Sequence, residues 1–313
     1  MQNLRFGIHS GQQYTSFDDL LALFRQAEDL GLDWASVFDH FLPIQCDPTG
    51  PCFDGLTTLA ALAAGTRHIR CGMLVTGVTY RHPAMLAKIA VTIDHISRGR
   101  FELGMGAAWY EAEHVGYGIP FPPIGRRMDM LEEAVHAVKS LWTQTETTVH
   151  GTHYHLESAR AEPKPLQKPS IPLWIGGVGE KRTLRIVARH ADGWNSIILP
   201  VEDYRHKLAV LERHCQEVGR DASSIRRSIV FQAVLDTDRA RAVERMRERT
   251  ERLGNRMAPM GAEAVIGTPQ DLVDRLAPFV QLGVSDFLLL SRMPADDVTL
   301  KLYAEVVAPA LRA

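Results

Sequence analysis

The sequence has little of what marks several large classes of protein. Its formal net charge is only −2, so it lacks the positive excess with which proteins bind nucleic acids or anionic membranes. No segment approaches the roughly 20 apolar residues that a membrane-spanning helix needs. The opening residues MQNLRFGIHS also lack the basic start and apolar stretch of a secretion signal. We therefore expect a cytoplasmic protein that acts on a small molecule, with neither a nucleic acid nor a membrane as its partner.

Cysteine is scarce as well. The four cysteines, Cys46, Cys52, Cys71 and Cys215, show no CxxC spacing. Four thiols allow two disulfides, but in a chain of 313 residues reduced cytoplasmic thiols are the expected state. The hydrophobic content of 45% and the charged content of 23% are ordinary for a globular enzyme and provide ample material for a large core.

Several short motifs with a known chemistry are missing. The sequence contains no GxSxG, no GxxxxGK[ST] and no HExxH, which removes the usual signatures of serine hydrolases, P-loop nucleotidases and zinc proteases. His150, His153 and His155 crowd into one predicted hairpin. A zinc site would need further ligands that converge on them, so we expect exposed histidines and no metal site.

What the sequence does contain is a regular alternation of short apolar runs and stretches of helical period. Eight strands are predicted by the apolar runs 4–9, 34–40, 69–77, 101–106, 171–177, 192–199, 224–235 and 284–290. Helices are predicted at 17–30, 56–64, 126–142, 180–188, 201–218, 240–253 and 269–282, and one more begins at Pro83. The alternation runs through the whole chain without a linker, so we expect one domain over residues 1–313.

Alternating strands and helices imply a parallel sheet, either closed into a barrel or open and doubly wound. Eight units and more than 250 residues favour a (β/α)8 TIM barrel. A Rossmann fold, which is the open alternative, has GxGxxG after its first strand. Gly7 and Gly11 do not supply this motif. Two additions to the barrel are predicted. The aromatic and proline-rich stretch 109–123 indicates an extended loop after the fourth strand, and the period of two around Gly151 indicates a small hairpin before the fifth.

Active sites of such barrels lie at the carboxyl ends of the strands. The second predicted strand ends in Asp39 and His40, which we take as the catalytic pair. An imidazole titrates near neutrality, so His40 can accept or donate a proton, and Asp39 can orient that imidazole or bind a cofactor. The alternative is that Asp39 caps the loop and His40 only closes the strand.

Two further strand ends are candidates for cofactor binding. Gly176, Gly177 and Val178 lie between the fifth strand and a helix, where glycine allows close approach of a phosphate and the helix terminus attracts it. Thr76 and Gly77 interrupt a β-branched run at the end of the third strand, which suits a bulge behind a planar ring. The alternatives are a tight turn and an ordinary strand end.

The remaining strand ends and the extended loop supply candidates for the wall of a substrate pocket. A cluster of acidic and aromatic residues in the loop can be catalytic or can shape the pocket. The predicted pocket residues are His9, Ile44, Trp109, Tyr110, Glu113 and Trp194.

Five segments carry a resemblance to a known family. They are SVFDHFLPI (36–44), GMLVTGVTYRHPAMLAK (72–88), RGRFELGMGAAWYEAEHVGYGIPF (98–121), EPKPLQKPSIPLWIGG (162–177) and ARHADGWN (188–195). Taken together they resemble the luciferase-like monooxygenase superfamily, and specifically its branch of oxidoreductases that use the deazaflavin coenzyme F420. The resemblance runs nearly from end to end of the chain.

The resemblance implies where a cofactor lies. Residues matching Asp39 and His40 lie at its reactive ring, and glycines matching Gly176 and Gly177 hold its phosphate side. The ring is backed by the third strand, with a non-prolyl cis peptide near 73–74; the matching residues are Met73, Leu74, Val75, Thr76 and Gly77. It further implies hydride transfer between F420 and an organic substrate, with His40 exchanging a proton. Family members commonly form homodimers through helices that flank the early strands, here 56–65.

The sequence also departs from the F420-dependent sugar-phosphate dehydrogenases it resembles. Ile44 and Trp109 stand where those enzymes have an aromatic and an acidic residue, and Ile198 stands near the place of a phosphate-binding lysine. We therefore expect a more apolar substrate. Two alternatives remain open. One is an FMN-dependent monooxygenase that takes reduced flavin from a partner reductase and uses oxygen, and the other is a noncatalytic flavin-binding barrel.

Overall fold

The computed structural model describes residues 3–257 and 264–313, which contain the following elements. The strands are β1 (Arg5–His9), β2 (Trp34–Val37), β3 (Arg70–Gly77), β4 (Phe101–Gly106), β5 (Thr147–His150), β6 (His155–Ala159), β7 (Leu173–Gly176), β8 (Gly193–Ile197), β9 (Arg226–Phe231), β10 (Ala233–Leu235), β11 (Val265–Gly267) and β12 (Asp286–Leu290). The α-helices are α1 (Phe17–Asp29), α2 (Gly55–Gly65), α3 (Pro83–Ile96), α4 (Glu111–Tyr117), α5 (Ile124–Thr143), α6 (Thr183–His190), α7 (Val201–Glu217), α8 (Arg239–Leu253), α9 (Pro269–Gln281), α10 (Asp297–Leu302) and α11 (Ala308–Arg312).

In the described ranges, eight parallel strands close into a barrel in the order β1-β2-β3-β4-β7-β8-β9-β12, and β12 pairs again with β1. This confirms the predicted (β/α)8 barrel. The predicted hairpin is confirmed as well, because β5 and β6 pair antiparallel with His150 opposite His155. Within those ranges no group of histidine, cysteine and acidic side chains could hold a metal ion.

Three local predictions were wrong in detail. The seventh strand does not continue to residue 235, because it breaks at Gln232 and its last part forms a separate parallel pair, β10 with β11. The second strand ends at Val37, so Asp39 and His40 lie in the loop that follows it. The stretch after β4 is not loop throughout, since it contains the two-turn helix α4.

The helices pack apolar stripes against the barrel. Helix α1 begins where the Ser16 hydroxyl accepts a hydrogen bond from the Asp19 N–H, and its buried residues recur at helical spacing from Leu20 to Ala27. The leucines of α2, the segment considered for a dimer contact, are buried in the core. Its apolar character therefore follows from packing within this chain. Among the helices of residues 3–257 and 264–313, we find no segment with the length and hydropathy of a membrane span.

The amino-terminal end of the barrel interior is filled by two tryptophans and a buried ion network. The Arg5 guanidinium lies 4.9 Å from the ring centroid of Trp34 and 5.9 Å from that of Trp174. Glycines make room for these rings, because a Cβ on Gly7 would lie 2.4 Å from Trp34 and one on Gly193 would lie 2.2 Å from Trp174. Small residues on two strands thus allow large ones on their neighbours.

Glu102 is the centre of that network. Its carboxylate accepts hydrogen bonds from Arg5 at 2.6 Å, from the Trp174 indole at 2.7 Å, and from Arg70. Burial would raise the pKa of Glu102, but the two arginines lower it to about 2. The ionised carboxylate therefore neutralises part of the charge of Arg5, whose guanidinium also pairs with Asp286.

We expect Glu102→Ala to destabilise the protein by about 1–3 kcal/mol, because it leaves the buried Trp174 N–H without its acceptor and Arg5 with Asp286 as its remaining carboxylate partner. Denaturant unfolding at neutral pH measures this. As a control, Glu146→Ala removes an exposed ion pair with Arg160 and should cost less than about 1 kcal/mol.

The effect of Glu102 also has a pH signature. Because its pKa lies near 2 in the folded protein, below the ordinary 4.5, its contribution is complete above about pH 4.5 and is lost as the pH falls through about 2. The difference between wild type and Glu102→Ala should shrink over that window. A difference that stays constant there would show that the carboxylate charge is not what stabilises the barrel.

Candidate active site

His40 lies at the carboxyl end of the barrel and is 8% exposed. Its Nδ1 is 2.9 Å from Oε2 of Glu113, in the first turn of α4. Nε2 has no hydrogen-bond partner in the part of the chain that the structure describes. Because a carboxylate can only accept, Nδ1 carries the proton of this bond. In the neutral imidazole, Nε2 is then the atom that can take up a proton.

Glu113 lies behind His40 and is completely buried. Its Oε1 accepts from the backbone N–H groups of Phe41 at 2.5 Å and Leu42 at 2.9 Å, and its Oε2 accepts from the Tyr80 hydroxyl at 2.6 Å as well as from His40. Burial would raise the pKa of Glu113, but the contact with His40 and the other donors hold it below its usual value. The structure thus places Glu113 as an ionised support for His40 and not on a pocket wall, where the sequence had suggested it.

Asp39 faces away from the His40 ring. Its Oδ2 accepts from Thr76 and from Arg81, each at 2.5 Å, and Arg81 also contacts Asp54 at 2.7 Å. The hypothesis that Asp39 orients the imidazole is therefore wrong, because Glu113 holds that nitrogen. Burial raises the pKa of Asp39 against the opposing effect of Arg81. Oδ1 of Asp39 is buried without a hydrogen-bond partner among the described residues, so it can accept a bond from a bound group.

His9, at the end of β1, is held as a neutral imidazole. Its Nδ1 is 2.9 Å from the Ser36 hydroxyl, and that hydroxyl donates its own proton to the Ile8 carbonyl at 3.2 Å. Nδ1 of His9 must therefore be the donor. Burial, and secondarily the charge of His40, lower the pKa of His9 to about 4. Nε2 of His9 is thus an acceptor at neutral pH.

The third strand carries the predicted irregularity. The non-prolyl cis peptide joins Leu74 and Val75, one bond beyond the expected place, and the pairing with β4 shifts register between Met73 and Thr76. Leu74 packs inside the barrel, whereas Met73 belongs to the outer core and its Cε lies under Gly55 of α2. Met73 is therefore apart from the candidate site.

The side chain of Val75 fits into a space left by glycines of two neighbouring strands. A Cβ on Gly104 would lie 2.7 Å from a Val75 methyl group, and one on Gly106 or Gly176 would lie 2.9 Å from it. These glycines admit Val75, so the role of Gly176 includes packing as well as any contact with a ligand.

Gly77 has a similar function for another side chain. A Cβ at this position would lie 2.7 Å from the Tyr80 ring and 3.0 Å from Cβ of Ala108. Because Gly77 has no Cβ, Tyr80 can reach Glu113. Tyr80 and Arg81 were not singled out from the sequence, although both follow the third strand within the TYRHP segment.

Gly177 presents an exposed turn of backbone at the end of β7, with φ of +120°, a conformation that favours glycine. Its N–H donates to the Asn195 carbonyl at 3.1 Å, and its carbonyl accepts from the Trp194 indole at 2.7 Å. Trp194 stacks on Tyr204 of α7 with 5.2 Å between ring centroids. The structure therefore places Trp194 between the barrel and α7, where its side chain is fully buried, and Val178 is half-buried against the core.

Aromatic residues of the segment after β4 cover His40. Trp109, which is 58% exposed, meets the His40 ring edge-on at 5.5 Å, and Tyr110 does so at 6.0 Å. The two aromatic rings stack on each other at 5.2 Å. These two expected pocket residues are thus brought together with His40, where they can shield it from water.

Ile44 borders a small cavity of about 30 Å³ beside Phe38, whose ring centroid lies 5.3 Å from that of His40. The cavity opens among the ends of β1, β2 and β12. Its lining combines apolar side chains with amide and guanidinium groups: Phe38, Ile44, Leu290, Met293, Gln13, Gln45, Tyr14, Arg256 and Arg292. Ile198 is buried and does not line it.

Comparisons with known proteins agree with this architecture. A family model described as luciferase-like monooxygenase matches residues 3–286. An uncharacterized protein of Mycobacterium tuberculosis is 38% identical over 168 residues, which cover 54% of this chain and 58% of that protein. The match thus spans little more than half of that relative's length.

Two further matches extend over whole chains. An F420-dependent glucose-6-phosphate dehydrogenase of Microbacterium testaceum is 27% identical, with 99% of this chain and 98% of the relative covered. Among solved structures, an F420-dependent secondary alcohol dehydrogenase in complex with an F420-acetone adduct superposes with a TM-score of 0.83 at 21% identity, covering 100% of both chains. At that identity the likeness shows a shared fold.

The packing of Val75 among glycines can be tested with a double-mutant cycle. We expect Gly106→Ala to destabilise the protein by about 1–3 kcal/mol, because its methyl group overlaps Val75. Adding Val75→Ala should recover part of this, with a coupling of about 0.5–3 kcal/mol, as measured by denaturant unfolding of the four proteins.

The matched control is Gly116→Ala, because a Cβ there meets nothing within 4 Å. It should show no coupling to Val75→Ala. If the unfolding free energies of Gly106→Ala and Val75→Ala simply add in the double mutant, the packing described for Val75 is contradicted.

Proposed function

Because this chain belongs to the luciferase-like monooxygenase family, we propose that it is an oxidoreductase that transfers a hydride between coenzyme F420 and an organic substrate. The observation that carries this proposal is the state of His40. Its Nδ1 is bound to a buried carboxylate, and its Nε2 is without a partner among the described residues. That arrangement suits a side chain that exchanges a proton with a substrate oxygen while a hydride moves to or from carbon.

The residues around His40 suit a bound deazaflavin. Oδ1 of Asp39 is a buried acceptor without a partner among the described residues, and Gly177 exposes a turn of backbone. The residues that would hold the cofactor are Asp39, His40, Leu74, Val75, Thr76, Gly77, Gly176 and Gly177. When bound, F420 supplies or accepts the hydride at C5 of its ring system. The 27% identity to an F420-dependent relative over nearly the full length of both chains supports this choice of cofactor.

The protein contributes proton transfer and shielding. When a substrate hydroxyl is oxidised to a carbonyl, Nε2 of His40 accepts the hydroxyl proton, and in the reverse direction it returns that proton to the oxygen. Trp109 and Tyr110 cover the imidazole and limit access of water. Phe38, which lies beside His40, and Ile44, which borders the same small cavity, supply apolar surface that suits an apolar substrate.

The second candidate is a monooxygenase that uses reduced FMN and oxygen, favoured by the description of the family model. It uses the same barrel and the same strand ends. Equilibrium binding of F420 and of FMN to the purified protein separates the two. We expect micromolar or tighter binding of F420, followed by oxygen-independent turnover with a panel of alcohols and carbonyl compounds. Tight binding of FMN with negligible affinity for F420 would refute the first assignment.

We expect His40→Asn to lower turnover by a factor of about 10²–10⁴ while F420 still binds, because the variant keeps a polar side chain but cannot exchange a proton. His136→Asn, on an exposed position of α5, is the control and should leave turnover unchanged. Equal turnover in wild type and His40→Asn would instead support a barrel in which His40 has no catalytic role.

A further inference from the structure

We propose that Glu113 and Tyr80 are positioning residues that set the protonation of His40, with Glu113 favouring the imidazolium and Tyr80 limiting that effect. The role in turnover rests on the proposed function, because it matters only if His40 exchanges a proton with the substrate. The contacts themselves do not depend on any cofactor.

The first step of the argument is the number of donors that one carboxylate serves. Glu113 accepts from the imidazole of His40 and also from the backbone N–H groups of Phe41 and Leu42. The same carboxylate therefore fixes both the side chain of His40 and the backbone that follows it. The ring cannot rotate without breaking a charge-assisted hydrogen bond in a buried place.

The second step is the competition between His40 and Tyr80 for one oxygen. The Tyr80 hydroxyl donates to Oε2 at 2.6 Å, and His40 donates to the same atom at 2.9 Å. Packing holds Tyr80 there, because its ring lies 4.7 Å from that of Phe41 and 5.1 Å from that of His114. A donor that stabilises the carboxylate reduces the share of its charge available to the imidazolium.

Other ionisable groups face His40 from the elements packed around it. From β1 comes His9, which is neutral at pH 7, and from the loop after β2 comes Asp39, whose charge is paired with Arg81. Cys52 donates to the His40 carbonyl at 3.4 Å. Among the described residues, the group in contact with an imidazole nitrogen of His40 is Glu113. The surrounding titratable groups are His9, Asp39, Arg81, Cys52, Tyr80 and Tyr110.

The proposal predicts shifts of opposite sign. Glu113→Gln removes the negative charge beside the imidazolium, so His40 should become protonated at a pH about 1–2 units lower. Tyr80→Phe removes the competing donor, so the carboxylate attracts the imidazolium more strongly and protonation should move about 0.5–1 unit higher. A residue that serves only to hold the fold would lower stability or activity without shifting these midpoints in opposite directions.

The measurement is an NMR titration of the imidazole nitrogens in protein labelled with ¹⁵N-histidine and containing no cofactor. The His40 signal is identified by its absence from the His40→Asn spectrum. Glu111→Gln is the matched control, because Glu111 lies in the same first turn of α4 but is exposed. It should leave the His40 midpoint in place.

A downward shift for Glu113→Gln and an upward shift for Tyr80→Phe support the proposal. If Glu113→Gln fails to fold, the upward shift for Tyr80→Phe supports it by itself. Shifts of the same sign, or midpoints that stay in place for the variants that fold, overturn it.

The pH dependence of kcat/KM separates this inference from the proposed function. In the oxidation direction its acid limb should follow the NMR midpoints, moving down for Glu113→Gln and up for Tyr80→Phe. If the NMR midpoints shift as expected but the protein does not bind F420, the proposed function is refuted and the positioning roles stand. F420-dependent turnover whose acid limb is the same in wild type and both variants would refute the positioning roles alone.

Discussion

The buried charge of Arg5 is the constraint on which the barrel depends. It lies between two tryptophan rings inside the closed sheet, and it is compatible with that interior because the carboxylates of Glu102 and Asp286 lie beside it. Glu102 in turn receives Arg70 and the Trp174 indole, so one carboxylate joins side chains from β1, β3 and β7. An interior ion network of this kind gives a strong preference for one register of the strands, since slipping any of them would bury an unpaired charge.

At the opposite end of the barrel, another buried carboxylate also joins separate segments of the chain. Glu113 joins the loop after β2, the loop after β3 and the helix after β4 through four accepted hydrogen bonds. Chain connectivity gives no reason for these three segments to meet in a defined way. Their meeting at one buried anion converts two loops and a helix into a rigid support for His40, which is the condition for a precisely placed proton donor or acceptor.

Much of the fold follows from the sequence because its signals are local. The period of apolar residues along the chain predicts the eight barrel strands, the hairpin around Gly151 and most helices. The break at Gln232 could not be predicted in this way, because apolar residues continue on both sides of it and the partner strand β11 lies far along the chain. Helix α4 was missed because aromatic residues and prolines on either side of it have the composition of a loop.

In the candidate site as well, local signals were predictable and contacts between distant residues were not. Asp39 and His40 were found from their place at the predicted end of the second strand, although that strand ends at Val37. The partner of His40 was misassigned to its neighbour in sequence, although consecutive side chains of an extended segment point to opposite sides. The actual partner, Glu113, is 73 positions away. Trp194 was misplaced for the same reason: Asn195 donates to Ser228 along the barrel wall, and the adjacent Trp194 points outward to α7.

That outward tryptophan has an optical consequence. Its indole N–H is bonded to the carbonyl of Gly177, and its ring is stacked on Tyr204 in the layer between barrel and helix. Any displacement of the Gly177 turn changes the hydrogen bonding of a buried chromophore whose emission depends on it. The chain therefore carries, at the edge of its barrel mouth, an intrinsic fluorophore coupled through one hydrogen bond to an exposed turn.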